Sequence, residues 1–363
     1  MKNVKEAAKM ISEEKNGAVI FADSDLDGVT SAIMLQKSIE LIGGSACVYI
    51  SDIENWGRGL TPKAVSAIEE ESSLIITLDC GMSSFEGVEE AKKKGFKVIV
   101  IDHHEPLEKL PCADLIINPK QEGDSYPFKK MANAGVVLFF LEELLQEKFL
   151  LLRRKFMELT TIATVADMVP KEKDNKKILD EGLQLLENPQ LPALRVLRRN
   201  IESDFVQKTT SLLNITERKG KVNYSYLFLS AEEESAAEEM LEDLFSARKE
   251  RDDGIALAVN SVMQKVSEDS VIVFEEVDAP SHYCGTIASH VISRVKKPTF
   301  IYVTEGDVSR GSVRAPSDFN SVKAMSHCSS FLLNFGGHPP AAGFLLKKKD
   351  LNKFKNCLID YLK

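Results

Sequence analysis

GAVIFADSDLDG, residues 17–28, decides the architecture. An apolar run of strand length, GAVIFA, stops at three alternating carboxylates, Asp23, Asp25 and Asp27, and then Gly28. A helical pattern, VTSAIMLQKSIELIGG, follows at once and ends in glycine, a usual helix stop. The unit recurs downstream. Apolar runs stand at ACVYI (46–50), LIITL (74–78), KVIVI (97–101) and ADLII (113–117), with helical patterns TPKAVSAIEEE and SSFEGVEEAKKKG among them. Strands rich in β-branched residues that alternate with helices imply a parallel sheet covered on both faces. The expected fold class is therefore α/β.

Acidic residues gather where these strands end. LIITL runs into Asp79, with Gly81 beyond it, and KVIVI runs into Asp102, His103 and His104. In an open parallel sheet, ligands bind outside the carboxyl ends of the strands. Three strands thus deliver carboxylates and imidazoles to one edge, and Asp167 follows the helical run TTIATVA. An aspartate behind a strand often only caps a helix. Carboxylates at 23, 25 and 27 are different: in extended backbone they point the same way and repel unless a cation sits between them. Carboxylates with one or two imidazoles and no thiolate suit manganese or magnesium better than structural zinc. There are more carboxylates than one ion needs, so two metals are expected.

The length, 363 residues, suggests two domains, each with its own core. Hydrophobic residues at 44% and charged residues at 28% are ordinary for a soluble globular protein. The N-terminus, MKNVKEAAKMISEEKNG, has no apolar core of signal-peptide length, and no later stretch is long and uncharged enough to span a bilayer. A cytoplasmic protein with no membrane partner is expected. The six cysteines (47, 80, 112, 284, 328 and 357) show no zinc or redox spacing, and read as scattered buried thiols of a reducing compartment. The net charge of −9 argues against a generally sticky nucleic-acid binder. Its distribution is uneven, however: residues 290–363 carry twelve Lys or Arg against five Asp or Glu.

Two long helical patterns, AGVVLFFLEELLQEKF and LLRRKFMELTTIATVADMV, follow the last strand of the first part. Residues from about 171 to 255 are richer in charge, and AEEESAAEEMLEDLFSARKERDDG reads as an exposed acidic helix. Strand and helix patterns return from about 256, at SVIVFEE, GTIASHVISRV, PTFIYVT, DVSRGSVRAP, AAGFLL and DLNKFKNCLIDYL. The expected division is a first domain over 1–190, a connector over 191–255 and a smaller α/β domain over 256–363. The single Trp56 is open to two roles, stacking on a base or anchoring its loop.

DSDLDG, LDCG, DHH and ATVADMVP, in that order, resemble the four motifs of the DHH phosphoesterase superfamily. GGHPPAAGF, with Gly336, Gly337 and His338, resembles the GGH motif of the C-terminal domain associated with it. INPK (117–120), NAGVV (133–137) and GSVRAP (311–316) support the resemblance, which spans almost the whole chain. It implies a phosphodiesterase with two divalent cations, manganese preferred or magnesium, and an active site in the cleft between the two domains. Asp25, Asp27, Asp79, His103 and Asp167 are the implied ligands, with Asp79 bridging, and Asp23 a ligand or just behind one. Asp102 is expected to orient an imidazole, and His104 to face the phosphate. Arg314, Gly336, Gly337 and His338 are the implied phosphate-binding residues of the second domain.

Within the superfamily, the first motif is most similar to that of RecJ-type exonucleases. Enzymes for short oligoribonucleotides or cyclic dinucleotides usually carry a histidine where Phe21 stands. Ala315 stands where the family often has serine. The implied activity is release of nucleoside monophosphates from single-stranded DNA or RNA. One alternative is hydrolysis of short oligonucleotides or a cyclic dinucleotide, since no oligonucleotide-binding barrel follows GGH. Another is an archaeal RecJ-like replication factor that binds a GINS-type complex.

Overall fold

The computed structural model describes residues 1–267 and 269–362; Glu268 and Lys363, both inside the expected 256–363 domain, lie outside the described residues. The chain forms two compact units, Met1–Arg248 and Lys249–Lys363.

In the first unit, β1 (Ala18–Ala22), β2 (Ala46–Ile50), β3 (Leu74–Leu78), β4 (Lys97–Ile101) and β5 (Leu115–Ile117) form an all-parallel sheet in the order β2-β1-β3-β4-β5. Every residue of β1 and β3 is buried. A strand covered on both faces has no reason to alternate polar and apolar residues, so these strands read as unbroken apolar runs. The helices of this part are α1 (Val4–Glu13), α2 (Leu26–Leu41), α3 (Pro62–Ser66), α4 (Phe85–Lys93), α5 (Asn133–Leu145) and α6 (Phe149–Ala166). Ile20 and Ala22 of β1 face one way, into a core shared with α1, α2, α5 and α6. Val19 and Phe21 face the other way, into a smaller core with α3 and α4. The chain passes from β1 to β2 on one side and then returns across β1 to β3. That reversal opens a crevice at the carboxyl ends of β1 and β3, where Asp23 and Asp79 begin their loops.

The expected connector is not one over most of its length. After α7 (Lys173–Leu185) come α8 (Pro192–Asn200), α9 (Phe205–Leu213), a hairpin of β6 (Arg218–Lys219) and β7 (Val222–Asn223), α10 (Tyr224–Leu229) and α11 (Glu234–Lys265). Leu194, Leu197, Phe228, Ala237 and Leu244 of this segment are buried in the same core as the sheet. Charge on the outer helix faces conceals the apolar stripe when only composition is read. The hairpin also covers an edge, since the Ile50 N–H of β2 donates to the Lys221 carbonyl at 2.9 Å. The boundary between the units falls inside α11.

The second unit contains β8 (Val273–Glu276), α12 (Cys284–Val295), β9 (Thr299–Glu305), β10 (Val308–Arg314), α13 (Ser321–His327), β11 (Leu332–His338), β12 (Ala341–Lys347) and α14 (Leu351–Tyr361). Its sheet runs β11-β12-β10-β9-β8, with β8 parallel to β9 and the remaining pairs antiparallel. The GGH segment, which was not among the expected strands, forms the end of β11. The expectation of six thiols is also corrected. Cys328 and Cys357 form a disulfide across a Cα separation of 5.9 Å, within bridging range. Cys328, just past α13, and Cys357, on α14, share one core, a proximity that their sequence separation of 29 residues hides. Cys47, Cys80, Cys112 and Cys284 are free, and Cys112 is exposed. Among the described residues, no helix is long and apolar enough to cross a membrane.

Candidate metal centre

Three turns build the site. Beyond β1 the chain enters α2, and Asp25 caps that helix: its Oδ1 accepts from the N–H groups of Asp27 (3.1 Å) and Gly28 (3.0 Å). Asp23 Oδ1 accepts from the Ser24 N–H at 2.6 Å. The alternation at 23, 25 and 27 predicts three carboxylates on one side of an extended segment, and the structure differs. Asp27 already lies inside α2, so helical rotation carries its side chain elsewhere. It meets the start of α5, where its oxygens accept from the N–H groups of Asn133 (2.6 Å) and Ala134 (2.7 Å). Gly28 makes the tight turn possible, because a Cβ there would lie 2.4 Å from the Asp23 carbonyl oxygen.

Beyond β3, Asp79 adopts a left-handed backbone with φ +64°. Its side chain is buried, and Oδ1 lies 3.2 Å from His103 Nε2 and 3.6 Å from His104 Nδ1. That oxygen nevertheless has no hydrogen-bond partner among the described residues. Asp102, at the end of β4, is saturated instead. It accepts from the N–H groups of Met82 (2.9 Å), His103 (2.7 Å) and His104 (2.9 Å), and from His104 Nδ1 at 2.8 Å. Burial pushes the Asp102 carboxyl up, but the bonds from His104 outweigh it and hold the group below its ordinary value. The same hydrogen bond raises His104, whose side chain is 58% exposed.

His103 is placed in the opposite state. Its Nδ1 lies 2.7 Å from the Met131 carbonyl oxygen, which can only accept. The proton is therefore on Nδ1, and Nε2 of the neutral ring is bare. Burial, with the charge of His104, holds His103 below the ordinary imidazole value and so keeps it neutral. The bare Nε2 then faces Asp79 Oδ1 at 3.2 Å. Asp167, which ends α6, places a second buried and unpartnered oxygen, Oδ2, 3.8 Å from the same ring.

Among the described residues, two groups have ligand atoms within 4.8 Å of one another: Asp79, His103 and His104, and Asp27, His103 and Asp167. Asp23 and Asp25 belong to neither. Burial first, and neighbouring carboxylates second, push Asp27 and Asp79 well above the ordinary carboxylate range and raise Asp23. Asp167 is pushed up to about 6 by burial and by Asp25. Orphaned oxygens, a bare imidazole nitrogen and uncompensated negative charge all fit divalent cations bound by oxygen and nitrogen.

The sign of this strain can be measured in protein stripped of metal. Asp167 titrates near 6 when folded and near 3.8 when free, so the folded state holds the extra proton between those values. Its contribution to stability is full below about 3.8 and lost as pH rises through about 6. In chelator, Asp167→Asn should therefore flatten the decline in melting temperature between about pH 4 and 6. An unchanged slope in the variant contradicts the assignment.

The second unit holds the other expected residues. Arg314 ends β10 and is half-buried, with Nη1 donating to the Val313 carbonyl at 3.0 Å. His338 ends β11 and is exposed. Both pair with Ala341 of β12, Arg314 from one side and His338 from the other. Residues directly opposite in a sheet share a face. The register therefore sets these two cationic-type side chains on one face, about 10 Å apart across two strand spacings. Gly337, at φ +135°, has no room for a side chain, since a Cβ would lie 2.6 Å from Ala342 Cα. Gly336 instead faces open space.

Trp56 is packed: its ring lies 6.3 Å from those of Phe21 and Tyr49, and the Arg218 guanidinium covers it at 5.1 Å. Sequence reasoning assigned no role to Asn133, to the Met131 carbonyl or to the Met82 N–H. Only NAGVV carried a signal, as a motif without a function.

A doubly wound sheet whose switch point gathers carboxylates and imidazoles defines an α/β protein with a divalent-cation donor set. Residues 18–164 match the DHH family, N-terminal domain, and residues 268–363 match the DHHA1 domain. The chain thus carries the DHH and DHHA1 domain pair and is homologous to the RecJ exonucleases. It is 30% identical to the single-stranded-DNA-specific exonuclease RecJ of Bacillus subtilis (strain 168), over 99% of this chain and 47% of that protein. With RecJ of Haemophilus influenzae the identity is 28%, over 93% of this chain and 64% of the relative. The chain thus spans about half to two thirds of the length of the curated relatives it matches. A crystal structure of exonuclease RecJ bound to manganese superposes with a TM-score of 0.83 at 22% identity, covering 99% of this chain and 94% of that one. RecJ of Thermus thermophilus in complex with Mn2+ gives 0.81 at 21% identity, covering 99% and 55%. These likenesses support the mixed α/β fold.

Proposed function

We propose that the chain hydrolyses phosphodiester bonds at the end of single-stranded nucleic acid, releasing nucleotides, with two divalent cations, manganese preferred or magnesium. The observation that carries this reading is the pair of donor groups that share His103, with two buried carboxylate oxygens left unpartnered. Asp27, Asp79, His103 and Asp167 would hold the cations, and Asp23 and Asp25 would add negative charge nearby. When bound, such cations lower the pKa of water and neutralise charge on the phosphoryl group.

The remaining chemistry belongs to the protein. The Met131 carbonyl keeps His103 in the tautomer that offers Nε2. Asp102 keeps a proton on His104, whose exposed side donates to a phosphoryl oxygen as negative charge builds there. Arg314 and His338, which share a face of the second sheet, add donors for substrate phosphate. Homology to exonucleases described as single-stranded-DNA-specific makes single-stranded DNA the first substrate to test.

End-labelled single-stranded DNA and RNA, a blunt duplex and a dinucleotide are incubated with the full chain and manganese. Mononucleotide release from the long single strand, abolished by chelator, is expected. Equal rates on duplex, or full activity in excess chelator, contradict the proposal. Cleavage confined to the dinucleotide would move the substrate class to short oligonucleotides.

A further inference from the structure

We propose that Asn133 is a positioning residue that fixes Asp79 relative to Asp27, and thereby sets the affinity of the centre for its cations. The inference rests on the metal-dependent function proposed above and names a residue through which that site is controlled.

Asn133 is the first residue of α5 and is fully buried. A buried amide has no water to turn to and must find partners within the protein. One orientation satisfies all of its neighbours. The amide nitrogen donates to the Ile101 carbonyl at 3.2 Å, and the amide oxygen accepts from the Asp79 N–H at 3.2 Å and the Ser31 hydroxyl at 3.1 Å. The network, rather than the shape of the side chain, selects that orientation. A single side chain thus joins the loop after β3, the last residue of β4 and the first turns of α2.

The backbone of the same residue performs a second task. The N–H groups of Asn133 and Ala134 donate to Asp27 Oδ2 and Oδ1 at 2.6 and 2.7 Å. The residue before α5, Ala132, offers no side-chain cap, so Asp27 takes the donors that a cap would otherwise fill. The side chain of Asn133 therefore grips Asp79, while its main chain grips Asp27. These are two buried carboxylates of like charge, which separate unless something holds them. Asp79 also sits at φ +64°, a conformation that a residue other than glycine keeps only where its surroundings impose it. The Asn133 oxygen is part of those surroundings, because it shares the N–H of the strained residue with the Ile101 carbonyl, which lies 3.1 Å from the same nitrogen.

Ser31 separates this role from simple packing. Its hydroxyl touches the same amide oxygen but no group of either donor set. Manganese binding is measured by calorimetry on the full chain, with circular dichroism to verify folding. Asn133→Ser remains polar at a helix start but is too short to reach Asp79. It should bind manganese about 10- to 100-fold more weakly, the usual loss when a partner of a ligand is removed. Asn133→Asp, nearly isosteric, keeps an oxygen for both donors and, protonated in this buried and acidic place, an O–H for the Ile101 carbonyl, and should bind within about tenfold of the unchanged chain. Ser31→Ala should alter affinity by no more than about threefold.

A folded Asn133→Ser chain with unchanged affinity overturns the proposal. So does an equal loss in Asn133→Ser and Ser31→Ala, which would show packing to be the cause. If Asn133→Ser fails to fold, Asn133→Asp decides: a loss beyond about tenfold refutes the role of the oxygen, and retention supports it. An unchanged chain that binds manganese yet hydrolyses no strand defeats the proposed function alone. One that binds no manganese defeats both.

Discussion

Asp79→Asn should reduce hydrolysis by ~10³-fold or more, ~4 kcal/mol of barrier, and yet make the metal-free protein more stable. The two effects have one cause. Asp79 is buried among like charges, its Oδ1 is without a hydrogen bond, and burial with the charge of Asp27 holds its carboxyl far above the ordinary range. With cations present, that charge is what binds them. Without cations it is a burden, and a neutral isostere should recover on the order of 1–3 kcal/mol. Asparagine is the right substitution because it tolerates the left-handed backbone that φ +64° requires. Alanine would add strain of about 1–2 kcal/mol and obscure the gain. The measurements are a melting temperature in chelator, a manganese titration and a single-turnover rate. A lower melting temperature for Asp79→Asn in chelator, or a rate near that of the unchanged chain with manganese, is incompatible with this account.

Arg314→Ala and His338→Ala should each lower hydrolysis by about 10²- to 10³-fold and leave manganese binding unchanged. Both residues pair with Ala341 and share a face of the second sheet, yet neither belongs to the donor groups around His103. Arg314→Lys should not restore the rate, since a point charge does not reproduce the planar fork that matches two phosphate oxygens. Gly285 supplies an independent check. A Cβ at that position would lie 2.9 Å from Arg314 Nη2 and 3.5 Å from its Cζ. Because the obstructed group is the free end of a long side chain, Gly285→Ala should displace the guanidinium while the fold survives. Its loss of rate should follow that of Arg314→Ala, to a lesser degree. Loss of manganese from any of these variants contradicts the separation of metal binding from phosphate binding.

Both predictions draw on features that the sequence shows in part. The parallel sheet was legible because buried strands must be apolar throughout, and GAVIFA, LIITL and KVIVI have no other use for that composition. Asp79, Asp102, His103 and His104 were legible for the same reason: each polar residue stands where an apolar run stops. Local pattern misled where the backbone changed type. Asp23, Asp25 and Asp27 alternate as in a strand, but α2 begins between them, so Asp25 became a helix cap and Asp27 turned toward α5. Composition misled between 191 and 248, where charged outer faces hid Leu194, Leu197 and Phe228, which complete the first core.

The chain by itself determined which residues end the strands, and hence the chemistry assembled at one edge of the sheet. Tertiary structure alone decided the state of each group. The tautomer of His103 depends on the carbonyl of Met131, 28 residues away. The geometry of Asp27 depends on the N–H groups of α5, more than 100 residues away. Cys328 and Cys357 meet only because α13 and α14 share a core. Sequence patterns report what a residue does to its near neighbours along the chain. Proton positions, orphaned oxygens and cross-links depend on atoms brought within about 3 Å by packing, and no local periodicity encodes them.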